Sequence, residues 1–305
     1  VVKNVTFLDL PRSPVGVLRA ALWLRRELKS FDHVYSLMRA SHIVVALGLW
    51  LSARRPEVVG TFHQLPSVDA ADLRGKVEDI FVRSFCRHAS FVTAPSRRAA
   101  EELVKRNYCA PNKVFVEFNI VQGPSSTPRP PRLAPLDRVR ILMLGRLSHQ
   151  KGIDELPKFL RAVSRPVDVF IVGDGEVDEG TRSDLQSLTG HTVTWRSHER
   201  DVDALFNDTD VLLMLSRWEL NPMVIWEAWL RGRPVVARSI PVLEDLSSVG
   251  SLRTFTQPDE LEKLIEEVSD SDVWRSQAYA DRNSPSLSSS QSRLVPFIRS
   301  SNVEI

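Results

Sequence analysis

The chain has 305 residues, a length that predicts two domains, each able to bury its own core. Hydrophobic residues make up 43% and charged residues 26%, which excludes wholesale disorder; two cysteines, Cys86 and Cys109, exclude a disulfide framework or a zinc ribbon. The net charge of +2 conceals a division: residues 1–130 carry a net +8 and residues 131–305 a net −6, so two modules with different partners are expected. The longest apolar run, Ile43 to Leu51, is far shorter than the ~20 residues a spanning helix needs. With no leader of charged and apolar segments in view, the expected compartment is the cytoplasm.

In chain order, short β-rich runs alternate with longer helical ones. Strands are predicted at Val5–Leu8, His33–Leu37, Val58–Phe62, Phe91–Ala94 and Val114–Phe118, with helices over 14–29, 41–54, 70–88 and 96–107 between them. Ser96 reads as the N-cap of the last of these helices. The stretch 122–136 holds five prolines and reads as an extended, semi-rigid spacer between domains. Beyond it, strands are predicted at Arg140–Leu144, Val167–Val172, Thr192–Trp195, Val211–Leu215 and Pro234–Ala237, and helices over 152–163, 178–189, 201–208, 222–231 and 258–269. Strict alternation implies parallel sheets covered by helices on both faces. The predicted architecture is therefore α/β, with two Rossmann-like domains facing a cleft: 1–128, 137–282, and a tail or closing helix over 283–305.

Three clusters carry chemistry. Leu144-Gly145-Arg146-Leu147-Ser148-His149-Gln150-Lys151-Gly152 follows an apolar strand and opens a helix. Gly145 permits a tight turn, and Arg146 and Lys151 set two cations beside a helix N-terminus, which suits a diphosphate; an ordinary charged βα loop is the plainer reading. Val172-Gly173-Asp174-Gly175 is half of a dinucleotide fingerprint and, taken alone, a glycine turn at a strand end. Ser216 to Ala237 is the richest: strand, loop, a helix opening at Pro222, Gly232 as its C-cap, and another strand. Glu219 in the loop and Glu227 inside the helix stand eight apart, so they can grip two parts of one ligand, and carboxylates suit vicinal diols.

In order and spacing these clusters resemble the retaining GT-B glycosyltransferases of family 4, strongly over about 139–240. The resemblance implies a fold of GT-B type and transfer of a sugar from a nucleotide-sugar donor (UDP-, GDP- or ADP-linked) with retention. It places Arg146 and Lys151 on the donor diphosphate, Glu219 on the sugar hydroxyls and Glu227 on the ribose. Gly145 and Gly173 fall in the donor loops. Amides of Asn221, Met223 and Val224 lie at the helix start, where Pro222 has none to give. Thr194-Trp195-Arg196-Ser197 matches the segment that reads the base, so Arg196 joins the donor-binding set; the family usually has Gly where this chain has Ser197. Thr61-Phe62-His63 resembles the strand-end Thr-x-His whose histidine faces the donor sugar, so the catalytic set is Glu219, His63, Arg146 and Lys151; a turn histidine is the plainer reading. Ala94-Pro95-Ser96 resembles the family's strand-to-helix serine. Val116 to Gln122 keeps only Asn119 and Val121 of a further motif.

No metal or cofactor is expected, because cations and helix dipoles serve the phosphates and no Asp-x-Asp occurs. The family's glycine-rich loop after its first strand has no counterpart here. The native start is therefore expected upstream of Val1, or the first domain is reduced. A catalytically impaired binding subunit is the alternative function, and a GT-B sugar-nucleotide epimerase is disfavoured by the Glu-x₇-Glu pattern. The expected acceptor is a glycan or a lipid-linked sugar. The 14–29 helix, with Arg19, Arg25, Arg26 and Lys29, suits peripheral contact with the inner face of an anionic membrane, or else packs in the core with a solvated basic face. Nucleic acid is not expected, because the basic residues are dispersed.

Overall fold

A computed structural model describes residues 13–53, 55–63, 73–117 and 121–283. The expected strand at Val5–Leu8, Asn119 and the region 284–305 lie outside them. The chain divides into two compact units, with the break between Asn119 and Ile120.

The first unit is a four-stranded parallel sheet in the order β1-β2-β3-β4: His33–Ser36, Glu57–Thr61, Phe91–Ala94 and Val114–Val116. Helices α1 (Pro14–Glu27), α2 (Arg39–Trp50), α3 (Leu73–His88) and α4 (Arg97–Lys105) alternate with the strands. Ser96 does cap α4, its Oγ accepting from the Ala99 amide at 3.3 Å. Ala21 in α1 and Leu28 at its C-cap turn inward. Val15, Leu18 and Leu22 remain exposed beside Arg19, Arg25 and Arg26.

The second unit holds a six-stranded parallel sheet, ordered β10-β9-β8-β5-β6-β7. Its strands are β5 (Val139–Leu144), β6 (Val167–Val172), β7 (Thr192–Arg196), β8 (Val211–Met214), β9 (Val235–Arg238) and β10 (Leu252–Phe255). The helices are α5 (Leu156–Leu160), α6 (Glu179–Gln186), α7 (Val202–Asn207), α8 (Met223–Leu230), α9 (Pro241–Ser247), α10 (Pro258–Asp270) and α11 (Val273–Asp281). The continuous apolar strands follow from burial on both faces. Ile141, Met143, Val211 and Leu213 enter one core, while Leu142, Leu212 and Met214 enter the other. From β5 the chain winds outward through β6 and β7, then returns to β8 on the other side of β5. Loops leaving β5 and β8 therefore diverge at the topological switch point, the place where open α/β sheets bind ligands.

Three elements were not anticipated: α9, β10 and α11. The expected 152–163 helix is also reduced, to 3₁₀ turns and the five residues of α5. The proline-rich stretch is not a free spacer; it is bonded along the second unit. Arg132 pairs with the buried Asp210, Arg233 donates to the Arg129 carbonyl at 3.0 Å, and Tyr279 Oη donates to the Pro128 carbonyl at 2.8 Å. Leu136 completes the strap by donating its amide to the Ser269 carbonyl.

The core of the first unit contains one ionisable side chain with a clear consequence. His42 is wholly buried, stacked on Phe85 with centroids 4.3 Å apart, and its Nδ1 lies 2.7 Å from Ser36 Oγ. Burial above all, aided by the charges of His63 and Arg39, lowers its pKa from 6.5 to about 4. The unfolded chain therefore takes up this proton first as pH falls. Stability held above pH 6.5 is lost as pH drops toward 4, by on the order of 3 kcal/mol. Urea unfolding at pH 7 and at pH 4.5 should show this loss in the wild type, and His42→Leu should flatten the difference.

Candidate functional site

At the switch point, the loops after β5 and β8 are tied together by one ion pair. Lys151 Nζ lies 2.6 Å from Glu219 Oε1, with side chains 21% and 8% exposed. Ser216 Oγ donates to the same Oε1 at 2.9 Å, so that oxygen is fully used. Oε2 accepts no hydrogen bond from the described residues. The Arg217 amide donates to the Gln150 carbonyl, and the Gln150 side-chain Nε2 donates to the Trp218 carbonyl at 3.0 Å, closing the two loops with one backbone and one side-chain bond. Below them lies a small recess of about 20 Å³, lined in part by Gly145, Arg146, Lys151 and Ser216 above the ends of β5 and β8.

Glycines permit this closure. Gly152 adopts φ +68°, and a Cβ there would sit 2.2 Å from the Leu215 carbonyl oxygen. Gly173 has φ +148°, and its Cβ would fall 1.9 Å from the Gly145 carbonyl oxygen. Gly173-x-Gly175 thus serves the approach of one loop backbone to another, where Leu147 donates its amide to the Asp174 carbonyl. Gly145, φ +144°, opens instead toward Lys151, whose Cε would be 3.5 Å from an added Cβ.

Arg146 is exposed and has no ion-pair partner among the described residues. The helix α8 starts at Met223, after an extended Pro222, so the first-turn amides of Met223 and Val224 have no acceptor within the helix. Asn221 is buried. Its Oδ1 accepts from Trp226 Nε1 at 2.7 Å, and its Nδ2 has no hydrogen-bond partner among the described residues. Glu227 is half-buried on α8, and its carboxylate receives no hydrogen bond from the described residues. Desolvation raises its pKa above the ordinary carboxylate value, with Arg231 opposing.

The structure therefore gathers Gly145, Arg146 and Lys151 around one recess, with Glu219 bonded to Lys151 and Ser216 of its lining and Gly173 packed against the Gly145 carbonyl. Arg196 stands apart from this group: it is exposed at the end of β7, its carbonyl accepting the Gly173 amide and its guanidinium over the Phe170 ring at 5.4 Å. His63 belongs to the first unit, exposed just beyond β2.

Sequence reasoning gave no role to Ser216, although a hydroxyl three residues before a loop glutamate is a usable signal. It also missed Arg217, which binds Asp154 at 2.9 and 2.8 Å and Glu155 at 2.7 Å. That hydrogen-bonded pairing holds the Asp154 carboxyl below its usual range.

Comparison with known proteins bears on this site. A family model described as glycosyl transferases group 1 matches residues 126–285, more than half of the chain. The chain belongs to the glycosyl transferases group 1 family. A second model, glycosyltransferase family 4, matches residues 1–122. An uncharacterized 41.2 kDa protein of the Klebsiella pneumoniae cps region is 30% identical over 131 residues, 43% of this chain and 36% of that protein. An uncharacterized glycosyltransferase of Haemophilus influenzae is 29% identical over 110 residues, 35% of this chain and 31% of that one. The matched stretches thus span about a third of these curated relatives. Among solved structures, Anabaena HepE in complex with UDP and glucose superposes with TM-score 0.73 at 19% identity, covering 95% of this chain and 84% of that one. TarM gives TM-score 0.71 at 15% identity, over 94% and 58%. The lipopolysaccharide outer core galactosyltransferase WaaB gives 0.61 at 19%, over 90% and 82%. At these identities the likeness is one of fold, and that fold is the GT-B class.

The loop closure in this family member gives a direct test. Gly173→Ala forces a methyl group into the Gly145 carbonyl in a backbone region that side chains avoid. It should cost about 2 kcal/mol or more in denaturant unfolding, against about 0.5 kcal/mol for Gly123→Ala, whose Cβ meets nothing within 4 Å and whose φ is not positive.

Proposed function

We propose that this chain is a retaining glycosyltransferase that takes a nucleotide sugar as donor, bound by the second unit at the switch point. The observation that carries this reading is the Lys151–Glu219 pair, in which a fixed carboxylate keeps one oxygen open beside a lysine, on loops that also carry Arg146 and lead into α8. In this reading Arg146, Lys151 and the amides of Met223 and Val224 receive the diphosphate. These groups are in place before negative charge grows on the leaving phosphate, so the transition state gains more than the ground state. Glu219 Oε2 accepts a sugar hydroxyl, Glu227 accepts the ribose hydroxyls, and Gly145 lets the backbone approach the phosphates. Asn221 shapes the entry to the helix, and Arg196 belongs to the nucleobase end. From the first unit we assign His63 to the reaction.

The bond from the anomeric carbon to the phosphate oxygen breaks as the acceptor oxygen bonds the same face. The acceptor proton passes to the departing phosphate, with no protein nucleophile and no metal in the scheme. Complexes of HepE with UDP, glucose or UDP-glucose favour a uridine nucleotide as the first donor to try. The acceptor is assigned to the first unit as a glycan or lipid-linked sugar. The exposed Val15, Leu18 and Leu22 beside Arg19, Arg25 and Arg26 support peripheral contact with an anionic membrane at its cytoplasmic face.

Donor hydrolysis and transfer should be measured with UDP-, GDP- and ADP-sugars. Turnover is expected with one donor class, and Glu219→Ala should lower kcat/KM about 100-fold or more. Equal turnover in wild type and variant removes Glu219 from the mechanism. Absence of both turnover and nucleotide binding in the full-length protein favours a non-enzymic subunit.

A further inference from the structure

Glu227 poses a physical problem that its own helix solves. A carboxylate that accepts two hydroxyls must be charged, yet burial works against its charge and no donor among the described residues offsets that. Four residues on, at the C-cap of α8, stands Arg231, its side chain 7% exposed. Its guanidinium does not bind the Glu227 carboxylate. Instead Nε lies 2.7 Å and Nη2 2.6 Å from Asp203 Oδ1 on α7, and Nη1 donates to the Glu227 backbone carbonyl at 3.2 Å. Asp203 is fixed in turn, its Oδ2 accepting the Ser125 amide at 2.8 Å and the Ser125 hydroxyl from the proline-rich strap. The guanidinium also lies over the Phe206 ring at 5.7 Å.

We propose that Arg231 is a positioning residue for the nucleoside end of the donor site: clamped by Asp203, it supports the charge of Glu227 through space while leaving both carboxylate oxygens open to ribose hydroxyls. This rests on the assignment of Glu227 to the ribose. A guanidinium free to swing would occupy the oxygens the ligand needs, and an uncharged residue would leave the carboxylate to protonate. Asp203 prevents the first outcome and Arg231 the second. The charged groups at this end of α8 are Arg231 at its C-cap, Asp203 on α7 and the buried Arg233, whose guanidinium is spent on the Phe206, Thr209 and Arg129 carbonyls. On α11, Arg275 and Tyr279 are engaged elsewhere, with the Arg132 and Pro128 carbonyls of the strap.

The experiment compares affinity for UDP and for 2′-deoxy-UDP by calorimetry between pH 5 and pH 8, or the GDP or ADP pair if the protein prefers that base. The ratio cancels titration of the ligand's phosphates and reports the hydroxyl contact. In wild type the ribose should be preferred about tenfold at pH 7.5, with the preference falling toward acid. Glu227→Gln should abolish the pH dependence. Arg231→Met should move the midpoint of the fall up by about one pH unit, and Arg231→Lys should restore part of the shift. Asp203→Asn should move the midpoint down, because it removes a negative charge and frees the guanidinium. A merely structural pair predicts weaker binding in both variants with no opposed shift. If Glu227→Gln alters the preference but the midpoints stay fixed, the role of Arg231 is overturned. If Glu227→Gln binds both ligands as wild type does, it is the ribose assignment that fails. Should Arg231→Met not fold, the Asp203→Asn shift decides.

Discussion

The site depends on a single ion pair across the switch point. Lys151 and Glu219 come from loops 68 residues apart in sequence, and they meet at 2.6 Å where the carboxylate is almost wholly buried. A carboxylate so desolvated requires a partner, and removing that partner would strand a buried charge. The pair therefore fixes the β5 and β8 loops as one surface. The other local features follow from the same closure. Gly152 and Gly173 let the backbones touch, Ser216 holds the carboxylate, and Arg217 fastens the β8 loop to Asp154 and Glu155 after the β5 loop.

In the proposed reading, that pairing also explains how a site for a dianionic group is formed before its ligand arrives. Lys151 is held by a carboxylate with one open oxygen, so a phosphate can share the cation while a hydroxyl takes the free oxygen. Arg146, exposed and unpaired among the described residues, adds charge that is not already committed. On α8 the arrangement is repeated with different spacing. Glu227 is left open because Asp203 claims the cation that would otherwise cover it. In both places, acidic and basic side chains are arranged so that a ligand finds acceptors and positive potential together.

Much of this was legible in the sequence because it is local. Strands β5, β6 and β8 are short apolar runs, and Phe91–Ala94 and Val167–Val172 could be delimited residue for residue. The clusters at Gly145–Gly152 and Glu219–Glu227 stood out through residue type and spacing. What escaped is non-local. Strand β10, Leu-Arg-Thr-Phe, has charged Arg253 at its centre and becomes a strand by pairing with β9. The proline-rich strap looked like a spacer because Asp203, Arg233 and Tyr279, which bind it, lie some 80 to 150 residues away. The second glycine pair was visible, but only the coordinates show that Gly173 meets Gly145.

The central claim is that the switch-point recess receives the donor's diphosphate and the flanking carboxylates its hydroxyls. A crystal structure of the full-length protein with a non-hydrolysable nucleotide sugar tests it most directly. The account predicts the phosphates against Arg146, Lys151 and the amides of Met223 and Val224, a sugar hydroxyl on Glu219 Oε2, and the ribose on Glu227. A donor bound elsewhere on the second unit, with the Lys151–Glu219 pair untouched and Oε2 unoccupied, would contradict it.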